Sequence, residues 1–167
     1  MTKIKLIVLD IDGTLTDGRI YYTNNGIELK SFCTKDAAGI FFAQKIGIDI
    51  VAVSGRESPA NSKRLGEMGV EKIYQNIVTK KAFLEDYLRQ YPYLKREVLY
   101  IGDDLNDYAA MSLAGYKACP FNSCKDIKKI SNYISPFRGG DGAVRDIIEH
   151  VFKSEWRQHI KELQNKM

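Results

Sequence analysis

No stretch of this sequence approaches the roughly 20 consecutive apolar residues that a membrane-spanning helix needs. The longest early apolar run, Ile4 to Leu9, stops at Asp10, which disqualifies it as the core of a secretory signal. A soluble, cytoplasmic protein without membrane contact is the expectation. Cysteine is scarce: Cys33, Cys119 and Cys124 are odd in number and form no CxxC pair. That argues against a disulfide framework or a cysteine-based metal site and leaves reduced, structural thiols. A continuous basic stripe is also missing. Net charge is only +4, and the densest basic clusters, Lys125 to Lys129 and Lys161 to Lys166, are broken by acidic or apolar residues. A nucleic-acid partner is therefore not expected, whereas a small anionic substrate suits the mild positive balance. Internal repeats, low-complexity tracts and flexible linkers are absent from the sequence. What remains is a chain of 167 residues, 44% hydrophobic and 28% charged, within the range of one globular domain with a sizeable core.

The pattern that fills this chain alternates strands and helices. Lys5 to Leu9 is a continuous apolar and β-branched run, as a strand covered on both faces should be, and Ile48 to Val53 and Val98 to Ile101 repeat it. Shorter strands fit Lys72 to Tyr74 and Tyr116 to Ala118. Helical periodicity occupies Ala37 to Ile46, Pro59 to Met68, Lys80 to Tyr91 and Asn106 to Leu113, with Gly47 and Gly69 where C-terminal caps belong. This order predicts an α/β fold, a Rossmann-like parallel sheet with helices on both faces. One insertion interrupts it. Arg19 to Thr34 carries Asn24-Asn25-Gly26 between RIYYT and ELKSF, the signature of a β-hairpin. At that size it stands in place of a cap domain, so a cover over the site must be short or borrowed from another subunit. The expected division is one main domain over 1–153 containing the hairpin at 19–34, followed by a charged helical tail over 154–167 that frays.

Each long strand ends in a polar, glycine-containing segment: DIDGT, SGRES and GDDLND. In parallel α/β sheets ligands bind beyond the carboxyl ends of the strands, so the three segments converge on one place. Asp10 and Asp12 are two residues apart in extended chain and can face one ligand. Two such carboxylates are costly together unless a cation or a shared proton offsets their repulsion. Gly13 permits a tight turn that presents N–H groups to an anion. Asp103 is sited to complete an oxygen shell with Asp10, of the kind magnesium prefers. Asp104 or Asp103 also suits a helix N-cap, and Asp107 lies one helical turn on, where it could orient a water or Lys80. Ser54 and Gly55 offer a hydroxyl and backbone N–H groups to a phosphate, with an N-cap role for Ser54 as the rival reading. Lys80 opens a helix, against the helix dipole, which hints at a local anion; Lys81 is placed nearly as well.

DIDGT, Ser54 after the second long strand, Lys80 opening a helix and GDDLND, in this order, resemble the four motifs of the haloacid dehalogenase superfamily. The resemblance implies that Asp10 attacks phosphorus to form an aspartyl-phosphate, and that Asp12 protonates the leaving group and then activates water. It also implies a magnesium cofactor held by Asp10, the backbone carbonyl of Asp12, and Asp103, with Ser54, Gly55 and Lys80 on the phosphoryl group and Asp104 and Asp107 in support. An aspartate at position 12 favours phosphoryl transfer over dehalogenation.

A second set of residues narrows the resemblance. Asp17-Gly18, Tyr21, Asn25-Gly26, Glu28, Lys30, Phe32, Asp36 and Gly39, together with Arg138-Gly139-Gly140-Asp141-Gly142, look like the capless branch that hydrolyses 3-deoxy-D-manno-octulosonate 8-phosphate, a step of lipopolysaccharide biosynthesis. That branch implies a homotetramer with packed hairpins and C-terminal segments that close a neighbour's site. Arg138 would then reach the substrate, although Arg138 to Asp141 also reads as a plain glycine loop before a helix. Arg56 could clamp a substrate carboxylate bidentately, assisted by Arg64 on the same helix. Asn76 stands where the branch carries glycine, and Ala37-Ala38 where Gly-Tyr is common. The expected function is hydrolysis of a sugar-acid phosphate, the eight-carbon acid first. A nine-carbon sialic-acid-type 9-phosphate is the alternative, and a non-catalytic tetrameric module supporting a cytidylyltransferase is a third reading.

Overall fold

The structure, a computed structural model, describes residues 3–165. The chain runs β1 (Leu6–Asp10), β2 (Tyr21–Tyr22), β3 (Glu28–Leu29), α1 (Thr34–Lys45), β4 (Asp49–Val53), α2 (Pro59–Glu67) and β5 (Lys72–Tyr74). It continues with α3 (Lys80–Gln90), β6 (Val98–Ile101), α4 (Leu105–Met111), β7 (Tyr116–Cys119), α5 (Lys125–Ile130), β8 (Tyr133–Ile134), α6 (Ala143–Val151) and α7 (Lys153–Gln164). Six strands form one parallel sheet in the order β5-β4-β1-β6-β7-β8, and β2 and β3 form a separate antiparallel hairpin. This is the α/β arrangement expected from the alternation of elements. No helix among the described residues is long and apolar enough to cross a membrane.

The sheet is apolar on both faces because each central strand alternates its side chains between two cores. Ile7, Leu9, Ile50, Ala52, Leu99 and Ile101 face α1 and α6, where Ile40, Ala43, Val144 and Ile147 meet them. Leu6, Val8, Val51, Val53, Val98 and Tyr100 face α3, α4 and α5 through Leu84, Met111 and Ile127. Burying a side chain of this size contributes about 1.5–3 kcal/mol, so the central strands are fixed from both sides. The carboxyl end of β1 is paired on both sides, with β4 and with β6.

Several elements differ from expectation in extent. α1 begins at Thr34, three residues before the periodicity suggested, and α4 is shorter than Asn106 to Leu113 at its far end. The lysine cluster at 125–129 is not merely charged surface: it forms α5, with Ile127 buried in the core, and β8 follows it. Gly47 and Gly69 adopt left-handed φ of 80° and 69° at the ends of α1 and α2, as C-terminal caps do. Asn76, where the branch carries glycine, also has positive φ (58°), a conformation that asparagine tolerates better than most residues. The hairpin pairs Tyr21 with Leu29 and Tyr22 with Glu28, and Gly26 turns it at φ 80°. Ile20, Tyr21, Tyr22, Ile27 and Leu29 are exposed on it.

Two distant segments complete the fold around β1. The loop before α6 packs on the turn after β1 of the same chain. Gly140 N–H donates to the Thr14 carbonyl (3.2 Å) and Gly139 N–H to Asn122 Oδ1 (2.8 Å). A Cβ at Gly139 would lie 1.8 Å from the Gly13 carbonyl oxygen, so only glycine fits there. Gly39 plays the same part between helices, since a Cβ there would approach the Arg145 Cα to 3.0 Å. α7 docks by Trp156, which meets Phe42 edge-on at 4.5 Å while the Arg145 guanidinium lies 4.1 Å from its ring centre. Residues 166–167 of the anticipated tail lie outside the described residues.

Two predictions follow from this packing. Gly139→Ala should push the turn after β1 away from its place, costing about 1–3 kcal/mol in thermal or denaturant unfolding and lowering activity along with stability; a variant of unchanged stability would mean the close approach has room to give. The second concerns Asp36, fully buried in the first turn of α1 and facing the start of α6. Burial pushes its carboxyl up to about 6, against the pull of the Arg145, Gly142 and Val144 backbone N–H groups. The native state therefore holds this proton more tightly than the unfolded chain. Stability from this group is present at low pH and falls as pH rises from about 4 towards about 6, by on the order of 3 kcal/mol. Asp36→Asn is expected to flatten that slope in urea unfolding, and an unchanged slope would assign it to other carboxyls.

Candidate active site

β1 leaves the sheet at Asp10, and the chain then folds back on itself. The Ile11 carbonyl accepts from Leu15 N–H (2.9 Å) and Thr16 N–H (3.1 Å), and Gly13 takes φ of 91°. This tight turn holds the side chains of Asp10, Asp12 and Thr14 at the carboxyl edge of the sheet. Gly13 must be glycine, because a Cβ would sit 2.2 Å from Asp103 Oδ2. Asp103 arrives from the end of β6 and accepts a hydrogen bond from Thr14 Oγ1 (3.2 Å).

Carboxylate oxygens of Asp10, Asp103 and Asp107 lie within 4.8 Å of one another. Such crowding is unfavourable unless positive charge is supplied. Lys80, the first residue of α3 and almost wholly buried, supplies one unit, donating to Asp10 Oδ1 and to Asp107 Oδ1 (2.7 Å). Burial alone would lower its pKa, but Asp10 and Asp107 more than offset that and hold it above the usual lysine value. Lys81, its rival on position, is exposed. Burial first, then Asp107 and Asp103, push the Asp10 carboxyl well above the ordinary range, with Lys80 opposing. Asp103 is pushed up to about 6, chiefly by burial and with Asp107 adding to it, while the Thr14 hydroxyl opposes. A divalent cation with oxygen ligands is the group that relieves this repulsion, and Asp10 and Asp103 each keep Oδ2 for it, their Oδ1 atoms accepting from Lys80 and Thr14. Asp107 is consumed: it accepts from Lys80, from Tyr100 OH (2.9 Å) and from Asp103 N–H (3.1 Å). Asp104 is the N-cap of α4, accepting from Leu105 N–H (2.8 Å), which leaves Asp103 free for the site.

Asp12 turns away from that cluster. Its Oδ2 accepts from Ser54 Oγ (3.1 Å) and its Oδ1 from Lys30 Nζ (2.5 Å). Ser54 does not cap α2, whose N-cap is Ser58. Its hydroxyl instead accepts from Arg56 N–H (3.0 Å) while donating to Asp12, and the exposed Gly55 lies between. Contrary to expectation, Arg56 is not on the helix with Arg64 but in the bend before α2, because the helix starts only at Pro59. It pairs with Glu28 Oε2 of the hairpin (2.9 Å), while Arg64 pairs with Glu67 one turn along α2 (3.1 Å). The Arg138 side chain is exposed, its segment held on the turn after β1 by the Gly140 N–H bond to the Thr14 carbonyl and the close packing of Gly139 on Gly13. The structure thus gathers Asp10, Asp12, Ser54, Lys80, Asp103 and Asp107, and it brings Arg56 to the hairpin rather than to the carboxylates. Glu28, Lys30 and Tyr100 are contacts that sequence reasoning missed. The signal for the first two was their spacing of two along extended chain at the end of the hairpin, which sets both on one side.

Known proteins place this arrangement. Residues 63–147 match the model of the haloacid dehalogenase-like hydrolases. The chain is 34% identical to the 3-deoxy-D-manno-octulosonate 8-phosphate phosphatase KdsC of Salmonella typhi, over 89% of this chain and 81% of that protein. Among solved structures it is similar to the corresponding phosphatase of Moraxella catarrhalis in complex with magnesium, phosphate and KDO, with a TM-score of 0.92 and 33% identity over 96% of this chain and 93% of that one. The cobalt-bound enzyme of Haemophilus influenzae superposes with a TM-score of 0.86 at 28% identity, covering 92% and 90%. Sheet order, the paired aspartates after the first strand and the match in sequence lead to one assignment: this chain belongs to the haloacid dehalogenase-like hydrolases, among the relatives of the 3-deoxy-D-manno-octulosonate 8-phosphate phosphatases.

Proposed function

We propose that this chain is a magnesium-dependent phosphatase that hydrolyses 3-deoxy-D-manno-octulosonate 8-phosphate through a covalent aspartyl-phosphate. The observation that carries the reading is the environment of Asp10: a buried carboxylate at the end of β1, aimed by Lys80 and set beside Asp103. The named relatives supply the substrate class.

In the first half-reaction an Asp10 carboxylate oxygen attacks phosphorus while the bond to the sugar oxygen breaks and Asp12 gives that oxygen a proton. In the second, Asp12 takes a proton from water as it attacks the aspartyl-phosphate, and inorganic phosphate leaves with Asp10 restored. Lys80, Ser54 and the Gly55 N–H bind phosphoryl oxygens and offset their charge. Magnesium, held by Asp10, Asp103 and the Asp12 carbonyl, would neutralise the phosphoryl group further. Asp107 fixes Lys80 and the start of α4, and Asp104 caps that helix.

Arg56 is the residue proposed to select an acid sugar. Its pairing with Glu28 uses part of a guanidinium with five N–H donors, so a donor edge remains for a substrate carboxylate. Arg64 and Arg138 are proposed to assist, the latter from the loop that rests on Gly13. The exposed apolar side chains of the hairpin support a homotetramer built through it, acting in the cytoplasm on a lipopolysaccharide precursor.

Phosphate release from purified esters, with and without magnesium, tests the reading. The panel holds octulosonate 8-phosphate, two nine-carbon 9-phosphates and simple sugar phosphates. Preference for the eight-carbon acid and loss of turnover in chelator are expected. A nine-carbon preference would keep the mechanism and remove Arg56 as selector, and no release from any ester would favour a scaffold. Asp10→Asn should lower turnover by at least about 10³-fold with the fold intact, and retained release would overturn the nucleophile.

A further inference from the structure

We infer that Lys30, carried into the site by the β-hairpin, is a positioning residue for Asp12. The hairpin lies in the sequence where related architectures carry a cover domain, and its outer side is exposed. Lys30 nevertheless has a side chain with no solvent exposure, and its Nζ lies 2.5 Å from Asp12 Oδ1. Burying an ammonium costs several kcal/mol unless it is paired, so a buried lysine at the base of a small exposed element marks a specific partner. That partner is Asp12, with Glu28 Oε1 beside it at 3.4 Å from the same Nζ.

Together with Ser54 Oγ on Oδ2, Lys30 leaves neither oxygen of Asp12 free to rotate. Glu28 in turn holds Lys30 and Arg56 at once. Glu28 and Lys30 share one side of the extended chain, and Leu29 between them points outward. The two aspartates of the turn therefore each have their own lysine: Lys80 from α3 sets Asp10, and Lys30 from the hairpin sets Asp12. Positioning matters more for Asp12 than for a binding group, because proton transfer needs its oxygen within hydrogen-bond reach of the departing oxygen. Lys30 does not touch the reacting atoms; it fixes the residue that does.

This inference rests on the role proposed for Asp12, and leaving-group chemistry separates the two. A simple alkyl phosphate needs a proton on its departing oxygen, whereas 4-nitrophenyl phosphate does not. Comparing kcat/KM keeps the comparison on the first half-reaction. Lys30→Met in the full chain should lower kcat/KM for the alkyl ester by about 10²-fold and spare the nitrophenyl ester, with Lys30→Arg recovering most of the loss. In an Asp12→Ala background the same substitution should add nothing. Equal losses on both esters, or losses that add to those of Asp12→Ala, would show Lys30 to be a structural or substrate-binding residue and overturn the inference. If Asp12→Ala itself leaves the alkyl ester unaffected, the role of Asp12 fails instead. Should Lys30→Met not fold, Lys30→Gln removes the charge at similar length and is read the same way.

Discussion

Lys80 places one buried positive charge between Asp10 and Asp107, and the chemistry of the strand ends depends on that arrangement. Three carboxylates gathered at the strand ends repel one another, and burial raises the cost of keeping Asp10 and Asp103 charged. A lysine at the first position of α3 opposes that helix's dipole, yet it survives there because the carboxylates repay the cost locally. The same ammonium fixes Asp107, which then orders the backbone N–H of Asp103 and the hydroxyl of Tyr100. One charge thus aligns contributions from β1, β6, α3 and α4. Removing it would disturb all four at once.

Around that centre the fold supplies rigidity from both faces of the sheet and closeness from glycine. Gly13 admits Asp103, and Gly139 admits the backbone of Gly13. These contacts are steric rather than electrostatic, and together they fix the height of the turn after β1 above the sheet. The loop before α6 reaches that turn in the same chain, which gives it a structural duty independent of any role in a neighbouring subunit.

Much of the frame was legible in the sequence because it is written in local signals. Apolar runs ending in DIDGT, SGRES and GDDLND marked three strand ends, and their convergence follows from parallel topology. Gly47 and Gly69 gave two helix ends by their need for positive φ. Less was legible where two roles compete for one residue type. Nothing local separates Lys80 from Lys81, or Asp103 from Asp104; burial on one face of α3 and the capping geometry of α4 decide those pairs. α5 was hidden because lysines at its exposed positions masked the apolar stripe of Ile127 and Ile130. Lys30 and Glu28 were visible only as letters in a hairpin, since their partners Asp12 and Arg56 lie 18 and 28 residues away and only the tertiary fold brings them together.

The hairpin has two chemically opposite sides, with Leu29 facing out and Lys30 facing Asp12. Strand pleating makes the choice between them a matter of parity. A shift of one residue in the pairing of Tyr21 with Leu29 would send the ammonium into solvent and an isobutyl group towards the carboxylate. The length of the Thr23–Ile27 turn is therefore a setting of the site in its own right. A chain that gained or lost a single residue there could keep every side chain named above and still lose the alignment of its acid.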